Sequence, residues 1–136
     1  MNILFFLHPK GEIKYIHIDS TLRQGIELMR AHGYTAIPVI DREGKYVATV
    51  SEGDYLKHII DKGECSLKKL ESTLISSIVT EGRNPAVSIT ATLPDLIHRA
   101  MEQNFVPVVD DRGMFVGIIT RKDIIKFLSE EEVDIK

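Results

Sequence analysis

The chain contains two copies of one pattern, and this duplication restricts the possible folds more than any other feature. Eleven residues of the first copy recur in the same order in the second, at a spacing of 71 and later, where the second copy is shorter, of 69. The recurring pairs are Ile18/Ile89, Thr21/Thr92, Leu22/Leu93, Ile26/Ile97, Pro38/Pro107, Val39/Val108, Asp41/Asp110, Gly44/Gly113, Val47/Val116, Asp54/Asp123 and Lys57/Lys126. Because the identities keep their order, the chain is a tandem duplication.

Each copy predicts the same order of elements, β-α-β-β-α. A short strand ("KYIHI", "AVSI") precedes a helix with apolar residues every three or four positions. The runs "AIPVI" and "FVPVV" have strand length, and the proline in each favours an edge strand or a strand start. The turns "DREG" and "DDRG" join them to "YVATV" and "FVGII" as hairpins. The sequence therefore predicts an α/β (α+β) fold, and since one copy alone would be marginally stable, the two form one compact module.

The repeats also predict the domain boundaries. These are 1–9 for a packed N-terminal segment, 10–62 for the first repeat, 63–82 for a connector, 83–130 for the second repeat and 131–136 for a C-terminal tail. Phe5, Phe6 and Leu7 predict contact with the core or a dimer partner. The connector is polar, with enough apolar residues to lie on the surface of the pair: Leu67, Leu70, Leu74, Ile75, Ile78 and Val79.

Composition excludes several classes of protein. The net charge of −3 and pI near 5.9 argue against a nucleic-acid-binding surface. A single cysteine, Cys65, rules out an internal disulfide and fits a reducing cytosol. The apolar run Ile3–Leu7 is too short for a signal peptide, and no run approaches the length of a membrane span. We expect a cytoplasmic protein that binds neither nucleic acid nor membrane.

The sequence also lacks a recognisable catalytic or metal-binding constellation. Cys65 has no nearby histidine to activate it, and the histidines show no metal-ligand spacing. These histidines are His8, His17, His32, His58 and His98. We therefore expect a protein that is not an enzyme and holds no metal or cofactor.

A Ser/Thr-x-x-Asp pattern opens the last helix of each repeat, as Ser51-x-x-Asp54 and Thr120-x-x-Asp123. By itself this pattern indicates a helix start, because the hydroxyl and the carboxylate cap each other's backbone amides. Thr92-x-x-Asp95 supplies an internal comparison, since it opens a helix without directly following a strand. Two interpretations therefore stand, a cap alone or a cap that also contacts a ligand.

The strand-to-helix position of the two patterns favours the second interpretation. A helix N-terminus suits phosphate, and a nearby carboxylate can accept both hydroxyls of a ribose. Arg121, in the first turn of its helix, can pair with a phosphate, whereas Glu52 at the same place in the first copy would repel one. The two copies thus predict unequal sites.

The segments "GYTAIPVIDREGKYVATVSEGDYLKHI" and "NFVPVVDDRGMFVGIITRKDIIKFL" resemble two CBS domains. The resemblance covers residues 10 to 130 and rests on the Pro-Val turn and the strand-to-helix junction, each present twice. It implies two halves related by a pseudo-twofold axis, a Bateman module that dimerises and binds adenosine-containing ligands in its clefts.

The resemblance further implies which residues form the first site. Its members would be Lys14, Tyr34, Thr35, Ala36, Pro38, Ile118, Thr120, Arg121 and Asp123. The backbone near Lys14 and Ala36 would read the adenine edge, with Pro38 and Ile118 on the two ring faces. Thr120 and Arg121 would meet phosphate, and Asp123 would accept the ribose diol. Tyr34 is either a turn or core tyrosine or a residue that stacks on the purine.

A second site would be formed by Pro85, Asn104, Phe105, Pro107, Thr49, Ser51 and Asp54. This copy departs from the pattern, since Phe105 is bulky where the first copy has Ala36. Glu52 also replaces Arg121, and Ala48 replaces the glycine found at Gly117. We expect the first site to be the better one for a phosphate-rich ligand.

These features predict a regulatory protein that senses an adenine nucleotide (AMP, ADP or ATP) and signals to an unidentified protein target, as a homodimer. The stretches "HGYTAIPV" and "ITRKD" also resemble small bacterial CBS proteins that bind cyclic di-AMP, which is an alternative ligand, and S-adenosylmethionine stays open. Because Asp123 favours a free ribose diol, a 3′,5′-cyclic dinucleotide would use it less well. A further alternative is an interaction module without a ligand.

Overall fold

The computed structural model describes residues 2–63 and 66–130, so the expectation for Cys65 lies outside the described residues. The chain divides into two compact units. The first-repeat unit is Lys14–Arg83, and the second-repeat unit joins the N-terminal residues up to Ile13 to the chain from Asn84 onward.

The elements follow one another in the predicted order. They are β1 (His8–Pro9), β2 (Ile16–His17), α1 (Leu22–His32), β3 (Ala36–Ile40), β4 (Tyr46–Ser51), α2 (Glu52–Lys62), α3 (Leu67–Ser72), β5 (Val87–Ser88), α4 (Leu93–Ala100), β6 (Phe105–Val109), β7 (Phe115–Thr120) and α5 (Arg121–Glu130). Short 3₁₀ helices cover Ile3–Phe6, Lys10–Glu12 and Ile75–Ser77. The β-α-β-β-α order is therefore confirmed as β2-α1-β3-β4-α2 and β5-α4-β6-β7-α5.

Each unit has its own sheet with the same arrangement of the repeat's strands. In the first-repeat unit the strand order is β2-β3-β4, with β2 parallel and β4 antiparallel to β3. In the second-repeat unit β5, β6 and β7 pair in the same way. Here β1 adds a fourth strand, antiparallel to β7, with His8 opposite Ile118. The N-terminal segment therefore extends the sheet of the second repeat and not that of the first.

The prolines of β3 and β6 favoured edge strands. That prediction is wrong, because both are interior strands of their sheets. The Glu52 amide donates to the carbonyl oxygen of Thr35, just before β3, at 3.0 Å. In an antiparallel ladder only every second residue pair exchanges hydrogen bonds, so the pair Pro38–Thr49 exchanges none and the Pro38 nitrogen faces away from β4. On that other side β2 pairs only with Val39 and Ile40. The parallel ladder thus ends before it would need the amide hydrogen that proline lacks.

Each unit is built around one apolar cluster. In the second-repeat unit Phe6 is buried with the residues of α4, β6 and β7, whereas Phe5 is exposed. In the first-repeat unit the cluster includes Ile75, which is completely buried. The surface location expected for the connector is therefore wrong at Ile75, since this side chain fills the core beside Leu22 and Tyr55.

Within the described residues 2–63 and 66–130, every helix is too short or too polar to cross a membrane.

Candidate functional site

The helix that follows β7 begins where the sequence analysis places a ligand contact. The Asp123 amide donates to the Thr120 hydroxyl at 3.2 Å, which confirms the predicted cap at this helix start. The same geometry opens α1 and α4, where Thr21 and Thr92 form complete capping boxes. The second predicted role of Asp123, in ligand binding, therefore depends on what else its carboxylate contacts.

The carboxylate of Asp123 contacts a histidine from the N-terminal strand. Nε2 of His8 lies 2.5 Å from Oδ2 of Asp123, and β1 holds His8 in place by pairing it with Ile118 of β7. This hydrogen bond is the main cause that lowers the pKa of Asp123 below its usual range, ahead of the opposing effect of partial burial. The Asp123 side chain remains 37% exposed. The carboxylate is thus ionised at neutral pH and still reachable from solvent.

His8 is a residue that the sequence analysis missed as part of this site. It was considered only as a possible metal ligand, and no local pattern ties it to Asp123, 115 residues away. The pairing of β1 with β7 creates the contact, and such pairing between distant segments leaves no periodic signal in the sequence.

The contact predicts the pH behaviour of Asp123. Because its pKa is lowered in the folded state, the ionised form favours folding above about pH 4, and this contribution is lost as the pH falls through the lowered pKa. In His8→Ala we expect the Asp123 pKa to rise toward its ordinary value, measured by carboxyl ¹³C NMR. Asp110 serves as the control, since its pKa is lowered by the amides of Met114 and Arg112 instead.

An unchanged Asp123 pKa in His8→Ala would contradict the contact. A rise at both Asp123 and Asp110 would contradict it too, because it would indicate a general change of the fold.

The Arg121 guanidinium, predicted to meet phosphate, is attached to the neighbouring helix. Its Nε donates to the carbonyl oxygen of Ala100 at 2.6 Å, where α4 ends. Its backbone amide donates to the Asn104 carbonyl at 2.9 Å, which continues the β6–β7 ladder. Any phosphate contact of Arg121 would thus use the remaining N–H groups of the guanidinium.

In the first-repeat unit the corresponding carboxylate, that of Asp54, is enclosed. Oδ2 of Asp54 accepts from the amide of Ser51 at 2.8 Å and from its hydroxyl at 3.1 Å. Nη2 of Arg83 also donates to Oδ2, and this hydrogen bond is the main cause that raises the pKa of Arg83. The Asp54 side chain is only 8% exposed. Arg83 lies in the segment before β5 and was not identified from the sequence.

The Thr49 hydroxyl, predicted to belong to the second site, has a partner within its own unit. Thr49 Oγ1 and the Tyr46 hydroxyl lie 2.8 Å apart, and Thr49 is buried. Burial raises the pKa of Tyr46 to about 12, against the opposing effects of Thr49 and of Arg83. The Thr49 hydroxyl is therefore used in a buried hydrogen bond within the first-repeat unit.

The other first-site residues of the first-repeat unit lie before β2 and around the start of β3. Lys14 precedes β2, Ala36 pairs with Ser51, and Pro38 pairs with Thr49. The Tyr34 ring stacks on His32, with centroids 5.5 Å apart and planes 19° apart. Tyr34 and Thr35 both line a cavity of about 450 Å³ along α1 and α2. The aromatic face of Tyr34 next to His32 is thus already covered.

The second-site residues of the second-repeat unit lie around the start of β6. Phe105 pairs with Thr120, and Pro107 pairs with Ile118. The buried Gln103 links two of these positions, because its Nε2 donates to the carbonyl oxygens of Pro85 at 3.3 Å and Phe105 at 3.4 Å. Gln103 takes the place of Tyr34 in the second copy, which is the signal that would have singled it out.

Two stretches of the chain, residues 9–61 and 75–130, match the family model of the CBS domain. The chain belongs to the CBS-domain family, and its mixed α+β fold consists of two CBS repeats.

Several relatives show how widely this arrangement is used. The chain is 30% identical over 108 residues to an inosine-5′-monophosphate dehydrogenase of Methanocaldococcus jannaschii, over 79% of this chain but 20% of that protein. It is 21% identical over 125 residues to cyclic di-AMP receptor B of Bacillus subtilis, over 92% of this chain and 84% of the relative. A crystal structure of CbpB in complex with c-di-AMP matches with a TM-score of 0.85 at 28% identity, over 95% of this chain and 85% of that one. CBS repeats thus occur both within an enzyme and in a protein of this size.

Proposed function

We propose that the protein is a regulatory receptor for an adenosine-containing ligand of the AMP, ADP or ATP class. The observation that carries the proposal is the Asp123 carboxylate, ionised and 37% exposed at the start of α5. A carboxylate in this position can accept both hydroxyls of a ribose, and the first turn of the helix offers amides to a phosphate. The residues predicted for the first site are the contacts that we propose for this ligand.

The proposed output is a change in a partner protein, without catalysis by this chain. A ligand shifts an equilibrium only when it binds two states unequally, so occupancy would alter the relative population of two arrangements of the protein. We propose that a homodimer in the cytoplasm presents these arrangements to its target. The absence of a catalytic pattern in the sequence supports this assignment.

Cyclic di-AMP is the second candidate ligand. It is favoured by the likeness to CbpB, whose structure contains c-di-AMP, and to cyclic di-AMP receptor B. The two candidates use Asp123 differently. AMP presents both the 2′ and 3′ hydroxyls to a carboxylate, whereas a 3′,5′-cyclic dinucleotide presents only the 2′ hydroxyl.

The test is a thermal-unfolding titration with AMP, ATP, cyclic di-AMP and S-adenosylmethionine, on the wild type and on Asp123→Ala. A ligand at 100 times its Kd stabilises the folded state by about 2.7 kcal/mol. We expect AMP or ATP to raise the melting temperature of the wild type, and this shift to fall by at least half in Asp123→Ala at the same concentration. No shift with any of the four ligands would overturn the proposal.

The chain supplies a matched control in Asp95→Ala. Asp95 stands in the same Thr-x-x-Asp pattern at the start of α4, where its carboxylate accepts from the Thr92 amide, so this variant loses the corresponding carboxylate of another helix start. It should melt lower than the wild type and keep the full ligand-induced shift. If Asp123→Ala kept its shift as well, Asp123 would be a cap only.

A further inference from the structure

The carboxylates of Asp54 and Asp123, in the two Ser/Thr-x-x-Asp patterns, each form a hydrogen bond with a side chain from outside the repeat's own elements. In each case that side chain comes from a segment that precedes the first strand of a repeat. His8, before β2, contacts Asp123 within the second-repeat unit. Arg83, before β5, contacts Asp54 within the first-repeat unit. The two units therefore repeat one arrangement with chemically different partners, an imidazole and a guanidinium.

The two partners leave their carboxylates in different states. The Asp54 side chain is 8% exposed and receives the amide and hydroxyl of Ser51 in addition to Arg83. The Asp123 side chain is 37% exposed beside His8. Because a ribose diol must approach the carboxylate oxygens from solvent, the exposed fraction decides which of the two it can reach.

The replacement of Arg83 by a ribose diol as the partner of Asp54 is also unfavourable. Arginine stays charged at every pH at which the protein is folded, so its bond to Asp54 cannot be weakened by loss of a proton. In the hydrogen bond of Arg83 to Asp54 both groups are ionised and attract each other by charge, whereas a ribose hydroxyl brings no charge of its own. A diol that displaced Arg83 would exchange the stronger interaction for weaker ones and leave the guanidinium without its partner.

We propose that Arg83 is a specificity-determining residue that keeps the Asp54 carboxylate from taking a ribose, so that each chain binds one nucleotide, at Asp123. The inference rests on the proposed function. It adds the number of nucleotides bound per chain, the carboxylate that binds the ribose, and the residue that keeps the other carboxylate from doing so. The sequence analysis attributed the unequal sites to Glu52 in place of Arg121. Here the cause is instead the ion pair of Arg83 with Asp54, which occupies the carboxylate.

The test is calorimetric titration with AMP of the wild type, Asp54→Asn, Asp123→Asn and Arg83→Gln. We expect one AMP per chain for the wild type and for Asp54→Asn, and an affinity about 10- to 100-fold lower for Asp123→Asn, as for loss of a hydrogen bond to a charged group. Arg83→Gln should bind two. Arg42→Gln is the matched control, because it breaks the exposed pair with Asp19 and should still bind one.

Arg83→Met retains the aliphatic length of the side chain and gives a second measurement should the glutamine variant fail to fold. Two AMP per wild-type chain, loss of binding in Asp54→Asn, or a single site in both folded Arg83 variants would each overturn this inference while the proposed function stands. No AMP binding by any variant would overturn both.

Discussion

Replacing Gly117 with alanine is expected to destabilise the protein by about 3 kcal/mol, at the upper end of the cost of overpacking. A Cβ atom at this position would lie 2.2 Å from the carbonyl oxygen of His8 and 2.9 Å from Cδ1 of Leu7. The first of these is a backbone atom of β1 and cannot rotate away. The strand would therefore have to separate from β7, and the contact of His8 with Asp123 would be lost with it.

The free energy of unfolding of Gly117→Ala, from urea denaturation, checks this expectation. The duplication supplies the control, because Ala48 occupies the same position in β4, and among residues 2–63 and 66–130 no strand equivalent to β1 pairs there. Ala48→Gly should lower stability by only about 1–2 kcal/mol, through the greater freedom of glycine in the unfolded chain and the loss of one buried methyl group. A Gly117→Ala protein as stable as the wild type would contradict the docking of β1 on β7.

Truncation of Ile75 to alanine is expected to cost about 2–5 kcal/mol, the range for a large apolar side chain removed from a core. Ile75 is completely buried with Ile16 and Leu22, and its amide donates to the Ser20 carbonyl at 2.8 Å. The surrounding backbone is thus held in place and can close only part of the cavity. The expected loss is large because this connector residue completes the core of the first-repeat unit.

The neighbouring residue provides the comparison for this second measurement. Leu74 is 42% exposed, so Leu74→Ala should cost less than about 1 kcal/mol in the same denaturation experiment. Equal losses for Ile75→Ala and Leu74→Ala would show that the connector packs on the surface, as its polar composition suggested.

The local architecture was predictable from the sequence because its causes lie within a few residues of one another. The hairpins β3–β4 and β6–β7 follow from strand-length runs on either side of a turn with glycine, and the helix starts at Thr21 and Thr92 from capping boxes. The duplication then extended each local inference to the second repeat. This order of elements, and the family that it indicates, could be read from the residues alone.

Contacts between distant segments were decided only by the tertiary structure. The pairing of β1 with β7 brings His8 to Asp123, and burial of Ile75 turns part of a polar connector into core. Interior prolines are tolerated because the neighbouring parallel strands are short, which no local pattern records.

The candidate site divides in the same way. The sequence by itself determined the Ser/Thr-x-x-Asp pattern, its position after a strand, and the chemistry that Asp54 and Asp123 can offer. Only the tertiary structure decided that Arg83 encloses one carboxylate while the other stays exposed beside His8. The physical reason is that the reach of a carboxylate to a ligand depends on burial and on its ion-pair partner, and both are set by segments far away in the chain.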